Sequence, residues 1–391
     1  MKTSLSTAVP VTDQPRDFAR STLISLIVFA AITPLLLLVA PAVAAQLGAQ
    51  IGLSASQIGT YFFVELGAFS FATVPSYLWL GRVNARRVAA LATAVFCVGN
   101  LVTALMMPGF VALLALRAIT ALGGGTLMVL CMTSAATSEN RDRVYGLWVV
   151  GQLVAGAVGL FLLPLLFDAF GLRALYVTLA LLALCASPLT RGFDPALGQK
   201  RATRATLSNR SASATRIAAL AVSGVLGFYL AIGGVWTFAS KAASFAGFDT
   251  SKIGSVLAVA SIMGIVGAGT ASLIGGRVAR YAMLATGYAI LAAALIALGA
   301  HPGAAAFTVA IFAFKFAWTF VLPFILAAAA KNDTSGRLMA SLNLVIGVGL
   351  ATGPLIVGVL LDAGATLNTL FIGAAAVCAT SFLCLLGVER A

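Results

Sequence analysis

Residues 21–45 read STLISLIVFAAITPLLLLVAPAVAA, a run of 25 positions without one charged side chain. An α-helix rises about 1.5 Å per residue, so about 20 apolar residues cross a hydrocarbon core of about 30 Å. The run is long enough to span a bilayer and longer than the apolar region of a cleaved signal peptide. It predicts a retained first transmembrane helix.

Apolar segments of similar length recur through the rest of the chain. Of the 391 residues, 61% are hydrophobic and 9% are charged, whereas soluble domains carry about 25% charged residues and disordered chains are poor in apolar ones. Helices satisfy their own backbone in lipid, so the pattern predicts an all-α membrane protein with twelve transmembrane helices. The eleven further segments are 57–80, 88–106, 109–135, 144–167, 172–189, 217–239, 252–274, 281–300, 304–329, 339–361 and 367–387.

Basic residues are distributed unevenly between the two sets of loops. The chain has 24 Lys and Arg, 11 Asp and Glu and a formal net charge of +13. All but a few of the basic residues lie in the two ends and in alternate loops, while the opposite loops hold Arg173, Lys241 and Lys252. Because Lys and Arg accumulate in cytoplasmic loops, we expect a multi-pass protein of the cell (inner) membrane with both termini cytoplasmic. The charge therefore sets topology, and no nucleic-acid partner is expected.

The sequence offers little support for an enzyme or a cofactor. The five cysteines lie in apolar segments without CxxC spacing, so neither a metal site nor a disulfide framework is indicated. A phosphate-binding GxxxxGK[ST] loop and a nucleophile with an adjacent base are both missing from the sequence. The one histidine, His301, falls in a predicted loop. We therefore expect no enzyme, no cofactor and no nucleotide-driven pump, while a sensor or scaffold would usually add a soluble domain.

The chain divides into two similar halves. A polar segment at 191–216 predicts a flexible cytoplasmic linker, which gives four regions: the tail 1–20, the bundles 21–190 and 217–388, and the linker itself. An offset of about 194 residues brings short sequences of the two halves into register. These pairs are Gly81-Arg82-Val83 with Gly276-Arg277-Val278, Pro108-Gly109 with Pro302-Gly303, and Asp168-Ala169 with Asp362-Ala363.

Two motifs complete a family resemblance. The loop after the second segment has Arg82 and Arg86 at the basic positions of a GxxxDRxGRK pattern, although Gly81 replaces its acid. Segment four has Arg117 and Gly123 at positions of an RxxxGxG pattern, with Ala121 at the first glycine.

With these motifs and its duplicated architecture, the chain resembles the major facilitator superfamily over nearly its whole length. The resemblance implies two six-helix bundles with a substrate site near the membrane midplane between them. Segment eleven also carries an antiporter-like GxxxGP sequence (Gly349, Gly353, Pro354), which segment five lacks after Gly159. Close helix packing is the commoner role of such glycines.

Three charged side chains fall well within the predicted spans: Glu65, Arg117 and Lys315. Each costs about 2.5 to 3.5 kcal/mol at the centre of a membrane helix, so each should have a partner or a function. Glu65 and Arg117 both lie roughly 12 Å from the same end of their helices, and we expect them to form an ion pair. Either this pair couples transport to protons, with Glu65 taking a proton when Arg117 is released, or it is a static link between helices.

Lys315 lies about 16 Å into segment ten, and the spans of its half contain no acid. It could lose its proton, pair with Glu65, or bind an anionic substrate, and we favour the last. Neighbouring aromatic and amide side chains would complete the site, although each could equally serve helix packing. The predicted substrate-binding residues are Arg117, Lys315, Tyr229, Trp236, Phe312, Trp318, Gln152 and Asn343.

The sequence thus favours a proton-coupled secondary transporter of small organic anions, monocarboxylates including aromatic ones. Arg117 and Lys315 would bind the anion, and Glu65 would carry the proton, in a monomer whose other partners are protons and the lipid bilayer. The alternative is a proton-driven efflux pump for lipophilic drug-like compounds, in which Glu65 exchanges a proton for the drug.

Overall fold

The computed structural model describes residues 20–137, 141–197, 212–275, 277–330 and 337–390. Regular structure in these ranges is helical, and a short 3₁₀ turn at Ser187–Gly192 follows the sixth span. The helices are α1 Arg20–Ile32, α2 Leu35–Leu38, α3 Ala40–Ile51, α4 Ala55–Phe71, α5 Thr73–Trp79, α6 Ala85–Met106, α7 Phe110–Ala136, α8 Arg141–Phe170, α9 Arg173–Ala186, α10 Ala212–Thr237, α11 Ala239–Phe245, α12 Thr250–Ile274, α13 Arg280–Gly299, α14 Ala304–Ala330, α15 Arg337–Asp362 and α16 Leu367–Arg390.

The predicted fold class is confirmed: the helices form the twelve spans of a multi-pass membrane protein. Eleven helical runs are long and apolar enough to cross a membrane, and the first span consists of the three shorter helices α1–α3. Helices α4 and α5 form span two, each of α6 to α9 forms one span, and α10 and α12 to α16 form spans seven to twelve. Short turns such as 52–54, 171–172 and 246–249 lie on the face opposite the chain ends, which we term the distal face.

Prolines explain why the first span is broken. Pro34 has no N–H to donate to the carbonyl of Ala30, and Pro41 has none for Leu37, so the α-helical ladder is interrupted twice. The second break falls at Val39, with φ −101° and ψ 15°. The equivalent span of the second half breaks in almost the same conformation, at Phe238 with φ −100° and ψ 15°. Both halves therefore bend their first helix near the distal face.

Two helix pairs make the most extensive contacts between the halves, and both use a glycine packed against a proline turn. Gly59 of α4 lies against the backbone at Pro354 of α15, and Gly254 of α12 lies against Pro164 and the carbonyl of Leu160 in α8. A Cβ atom at either glycine would overlap these groups. Small residues allow such close helix contacts in membranes, so the duplicated halves meet through duplicated contacts.

The start of the predicted linker is packed on the N-terminal bundle. Phe193 is fully buried, and its carbonyl accepts a hydrogen bond of 2.8 Å from Arg86 Nε. The Thr22 hydroxyl donates to the carbonyl of Gly192 at 2.7 Å. The apolar residues Phe193 and Leu197 anchor this segment within an otherwise polar stretch, while positions 198–211 lie outside the described residues.

Asp362, at the distal end of α15, caps a helix of the other half. Its carboxylate accepts hydrogen bonds from the Ser54 hydroxyl at 2.7 Å and from the backbone N–H groups of Ala55 and Ser56 at 3.0 and 2.9 Å. These N–H groups have no partner within α4 because they belong to its first turn. The cap therefore ties the halves together at the distal face.

We expect Asp362→Ala to lower the free energy of unfolding by about 1 kcal/mol, the usual loss for a helix cap. Chemical unfolding in detergent would measure the change. Asp168→Ala is the matched control, since Asp168 is the duplicate position and makes no hydrogen bond within the described part of the chain. An equal effect of the two substitutions would contradict the capping role.

Candidate functional site

Glu65 and Arg117 form the predicted ion pair inside the N-terminal bundle. The guanidinium donates from Nε to Glu65 Oε2 at 2.8 Å and from its second terminal nitrogen to Oε1 at 2.6 Å. Arg117 is fully buried and Glu65 is nearly so. The parallel geometry is the strong bidentate form of an arginine–carboxylate contact, so the expectation drawn from helix depth is confirmed.

Three neutral residues complete the surroundings of this pair. Asn100 of α6 accepts a hydrogen bond of 2.8 Å from the remaining terminal nitrogen of Arg117. The guanidinium carbon lies 5.1 Å from the ring centroid of Tyr176, whose hydroxyl is 3.0 Å from that of Tyr61. All of these residues belong to spans two, three, four and six. Arg117 thus finds its partners within its own half of the protein.

Lys315 has a different environment at the centre of the C-terminal half. Its residue is 2% exposed, and its ammonium nitrogen lies 3.9 Å from the ring centroid of Trp236 and 4.1 Å from that of Trp318. The two indoles meet edge to face with centroids 6.2 Å apart. A cation over an aromatic face is attracted by the ring quadrupole, so the two indoles hold the ammonium between them.

Among the described residues, the recorded contacts of the Lys315 ammonium are with the two indoles. Within the residues that the structure describes, the ammonium makes neither a hydrogen bond nor an ion pair. Both oxygens of Glu65 are bound by Arg117, so pairing with Glu65 does not occur here. A buried ammonium can donate three hydrogen bonds, and this one has donors left for a ligand.

Helix geometry explains how the two indoles reach Lys315. Trp318 lies three residues after Lys315 on α14, which places the two side chains on one helix face. Trp236 comes from the last turn of α10. The indole of Trp318 also packs edge to face with the ring of Phe314, with centroids 6.0 Å apart. Thr319 bonds the carbonyl of Gly264 on α12 at 2.6 Å, which fixes α14 against its neighbour.

The remaining predicted ligands have varied positions. Gln152 donates to the carbonyl of Ala30 at 3.0 Å, the acceptor that Pro34 leaves without its helical partner. Tyr229 is buried two turns before Trp236 on α10, with its ring edge to face with that of Phe228. Phe312 packs partly buried against the core. Asn343 belongs to α15, but its side chain lies outside the described residues.

The glycine sequences pack helices together, as the commoner interpretation predicted. Gly349 and Gly353 of α15 lie against the backbone of Leu226 and Leu230 in α10. Gly123 of α7 lies equally close to the backbone of α6. These positions leave no room for a Cβ atom, so their role in this structure is close helix packing.

A cavity of about 790 Å³ opens between the halves near the distal face. The ends of α3, α8 and α11 and the starts of α4 and α12 surround it. Its charged lining residues are Asp168 and Lys241, and its floor includes Thr237 and Phe238. Lys315 is not part of the lining, but its neighbour Trp236 directly precedes the lining residue Thr237.

Sequence reasoning missed two contributors to these sites. Asn100 is a neutral residue of an apolar helix, and only the charged side chains were paired by depth. The carbonyl of Leu38 accepts a hydrogen bond of 3.3 Å from Trp236 Nε1 across the two halves. Pro34 and Pro41 indicate a broken helix with free carbonyls in this region, but the sequence does not identify the donors that bind these carbonyls.

Comparisons with known proteins agree with the helical architecture. A family model described as Major Facilitator Superfamily matches residues 21–333. The crystal structure of a mutant of the nucleoside transporter NupG is similar with a TM-score of 0.70 and 12% sequence identity, over 94% of this chain and 99% of that one. The crystal structure of NupG without that mutation has a TM-score of 0.69 and 14% identity, over 95% and 100%. At these identities the likeness concerns the fold.

Proposed function

Since the chain belongs to the major facilitator superfamily and is a transporter, we propose that it carries small organic anions together with protons. The substrates are monocarboxylates, including aromatic ones, and the two bundles move against each other to expose the site alternately. The protein acts as a monomer in the cell (inner) membrane. The asymmetry of its basic loops supports cytoplasmic termini, and the distal face then faces outward.

The observation that carries this proposal is the ammonium of Lys315. It is buried between Trp236 and Trp318 without a hydrogen bond or an ion pair in the described part of the chain. Removing one partner of a buried ion pair is costly, so a charge that lacks a protein partner gains most from an anionic ligand. The indoles offer apolar surface to an aromatic ring beside the carboxylate.

Glu65 is the proposed proton carrier, and its surroundings support that role. When Glu65 takes a proton, Arg117 keeps its hydrogen bond to Asn100 and its contact with the ring of Tyr176. The guanidinium is then free to contribute to anion binding without losing every partner. Under the alternative hypothesis, the pair only fixes the packing of spans two and four.

Counterflow in liposomes tests the proposed substrate class. Vesicles with purified protein are loaded with unlabelled 4-hydroxybenzoate, and labelled 4-hydroxybenzoate is added outside at equal pH. We expect label to accumulate faster than in protein-free vesicles, which correct for passive entry of the acid. An inward proton gradient should raise the protein-dependent rate further.

The variant Glu65→Gln tests the coupling in the same assay. Its amide oxygen still accepts a hydrogen bond from Arg117, but the side chain no longer takes a proton. We expect counterflow at equal pH to persist and the response to the proton gradient to vanish. A wild-type response to the gradient in this variant would exclude Glu65 as the proton carrier.

Two further probes separate the competing substrate classes. Uridine represents the class named for the similar crystal structures, and tetraphenylphosphonium represents lipophilic drugs. We expect neither to compete with 4-hydroxybenzoate. Transport of uridine alone, or export of tetraphenylphosphonium against an inward proton gradient, would replace the anion proposal.

A further inference from the structure

Trp236 contacts both the candidate anion site and the other half of the protein. Its ring face lies 3.9 Å from the ammonium of Lys315, and its indole N–H donates to the carbonyl of Leu38 at 3.3 Å. Trp318 has the first kind of contact only: its ring lies 4.1 Å from the same ammonium. One indole thus bridges the halves, and the other does not.

The acceptor exists because the first span is broken. In a continuous helix the carbonyl of Leu38 would accept from the N–H of Ala42, but that N–H donates to Val39 instead, at 3.0 Å. The free carbonyl then lies partly buried in an apolar helix, where a polar group without a hydrogen bond is costly. Trp236 supplies the missing donor from the opposite half.

This bond lies beside residues that line the distal cavity. Thr237 and Phe238 follow Trp236 and line the cavity floor, while Pro41 and Ala42 line it one turn after Leu38. Trp236 is itself fully buried. Trp236 therefore connects the residues that line the cavity with the ammonium of Lys315.

We propose that Trp236 couples occupancy of Lys315 to the opening of the distal face. The inference rests on the proposed anion transport. In the empty protein the ammonium attracts the ring of Trp236 and keeps its N–H on Leu38, which closes the cavity floor. An anion that binds Lys315 replaces the ring as the ammonium's partner and loosens that closure.

Linkage makes this coupling reciprocal. If the anion weakens distal closure, distal opening strengthens anion binding by the same factor. The distal-open protein then binds the anion more tightly than the distal-closed protein, in which the indole competes for the ammonium.

Accessibility of position 240 measures the closure. Ser240 lines the cavity and is buried, with a hydroxyl that lacks a hydrogen bond in the structure, so Ser240→Cys is a conservative probe. A membrane-impermeant maleimide is applied from the distal side. Mass spectrometry of the peptides separates labelling at position 240 from labelling of the five native cysteines.

Trp236→Phe and Trp318→Phe form a matched pair in this background. Both keep an aromatic ring near Lys315, but only the first removes an N–H that bridges the halves. We expect Trp236→Phe to raise the labelling rate at position 240 severalfold without ligand, and Trp318→Phe to leave it within twofold. Equal labelling rates in the two variants would contradict the proposal that Trp236 keeps the distal face closed.

The ligand dependence is measured with Trp236 intact, so it does not rely on the folding of either variant. We expect 4-hydroxybenzoate to accelerate labelling of Ser240→Cys severalfold and 4-hydroxybenzamide to leave it unchanged. If thermal shift shows that 4-hydroxybenzoate binds but labelling does not change, the coupling is excluded. If 4-hydroxybenzoate does not bind at all, the anion proposal fails. The ligand-free comparison of the two Phe variants still tests whether Trp236 keeps the distal face closed.

Discussion

Replacement of Lys315 by methionine is expected to abolish anion transport and to raise the stability of the protein. Truncating one member of a buried charge pair costs about 2 to 5 kcal/mol of binding, so the affinity for 4-hydroxybenzoate should fall at least about 30-fold. Without ligand the ammonium lacks an ionic partner and its burial is costly. Methionine fills a similar volume without a charge, so the unfolding temperature in detergent should rise.

Lys252→Met is the matched control for this substitution. Lys252 has a 70% exposed side chain with a long contact of 3.9 Å to Asp249, and exposed pairs of this kind contribute little. Counterflow and unfolding temperature should both remain at wild-type values. A Lys315→Met protein that binds and transports 4-hydroxybenzoate normally would remove Lys315 from the site.

Loss of one partner of the Glu65–Arg117 pair should have the largest effect on folding. Glu65→Leu leaves a fully buried guanidinium without its carboxylate, and we expect a loss of about 3 to 5 kcal/mol. Arg117→Met leaves the carboxylate unpaired and should cost a similar amount. The double variant removes both charges and should recover most of the lost stability, as replaced buried pairs commonly do. Denaturant unfolding of the three variants measures this cycle.

The cycle also separates the two hypotheses for the pair. Additive losses in the double variant would contradict direct pairing of the two side chains. If the double variant folds and still accumulates 4-hydroxybenzoate in response to a proton gradient, the pair is a static link between helices. Loss of that response with preserved counterflow would assign proton coupling to the pair and would show that anion exchange does not need Arg117.

Much of the fold could be predicted because the bilayer imposes strict conditions on the chain. Apolar length fixed the twelve spans, although α10 begins at Ala212, five positions before the predicted segment. The fixed helical rise placed Glu65 and Arg117 at one depth, and the cost of unpaired charge in lipid required a partner for each. The spacing of three residues on one helix also predicted that Trp318 lies on the same helix face as Lys315.

The contacts that were not predicted depend on how the helices rotate and bend, which a single sequence does not define. Asn100 carries no charge, so nothing in its helix indicated that it faces Arg117. The packed residues 191–197 were assigned to the polar linker because Phe193 and Leu197 are isolated among polar residues. The bond from Trp236 to Leu38 requires two broken helices in different halves to meet, which sequence periodicity does not reveal.

Calorimetric titration with 4-hydroxybenzoate and its neutral amide, 4-hydroxybenzamide, tests the central claim most directly. The two ligands share ring and shape, so their difference measures recognition of the carboxylate. We expect the acid to bind wild-type protein, the amide to bind at least about 30-fold more weakly, and Lys315→Met to remove this preference. Equal binding of acid and amide, or an undiminished preference in Lys315→Met, would contradict an anion site at Lys315.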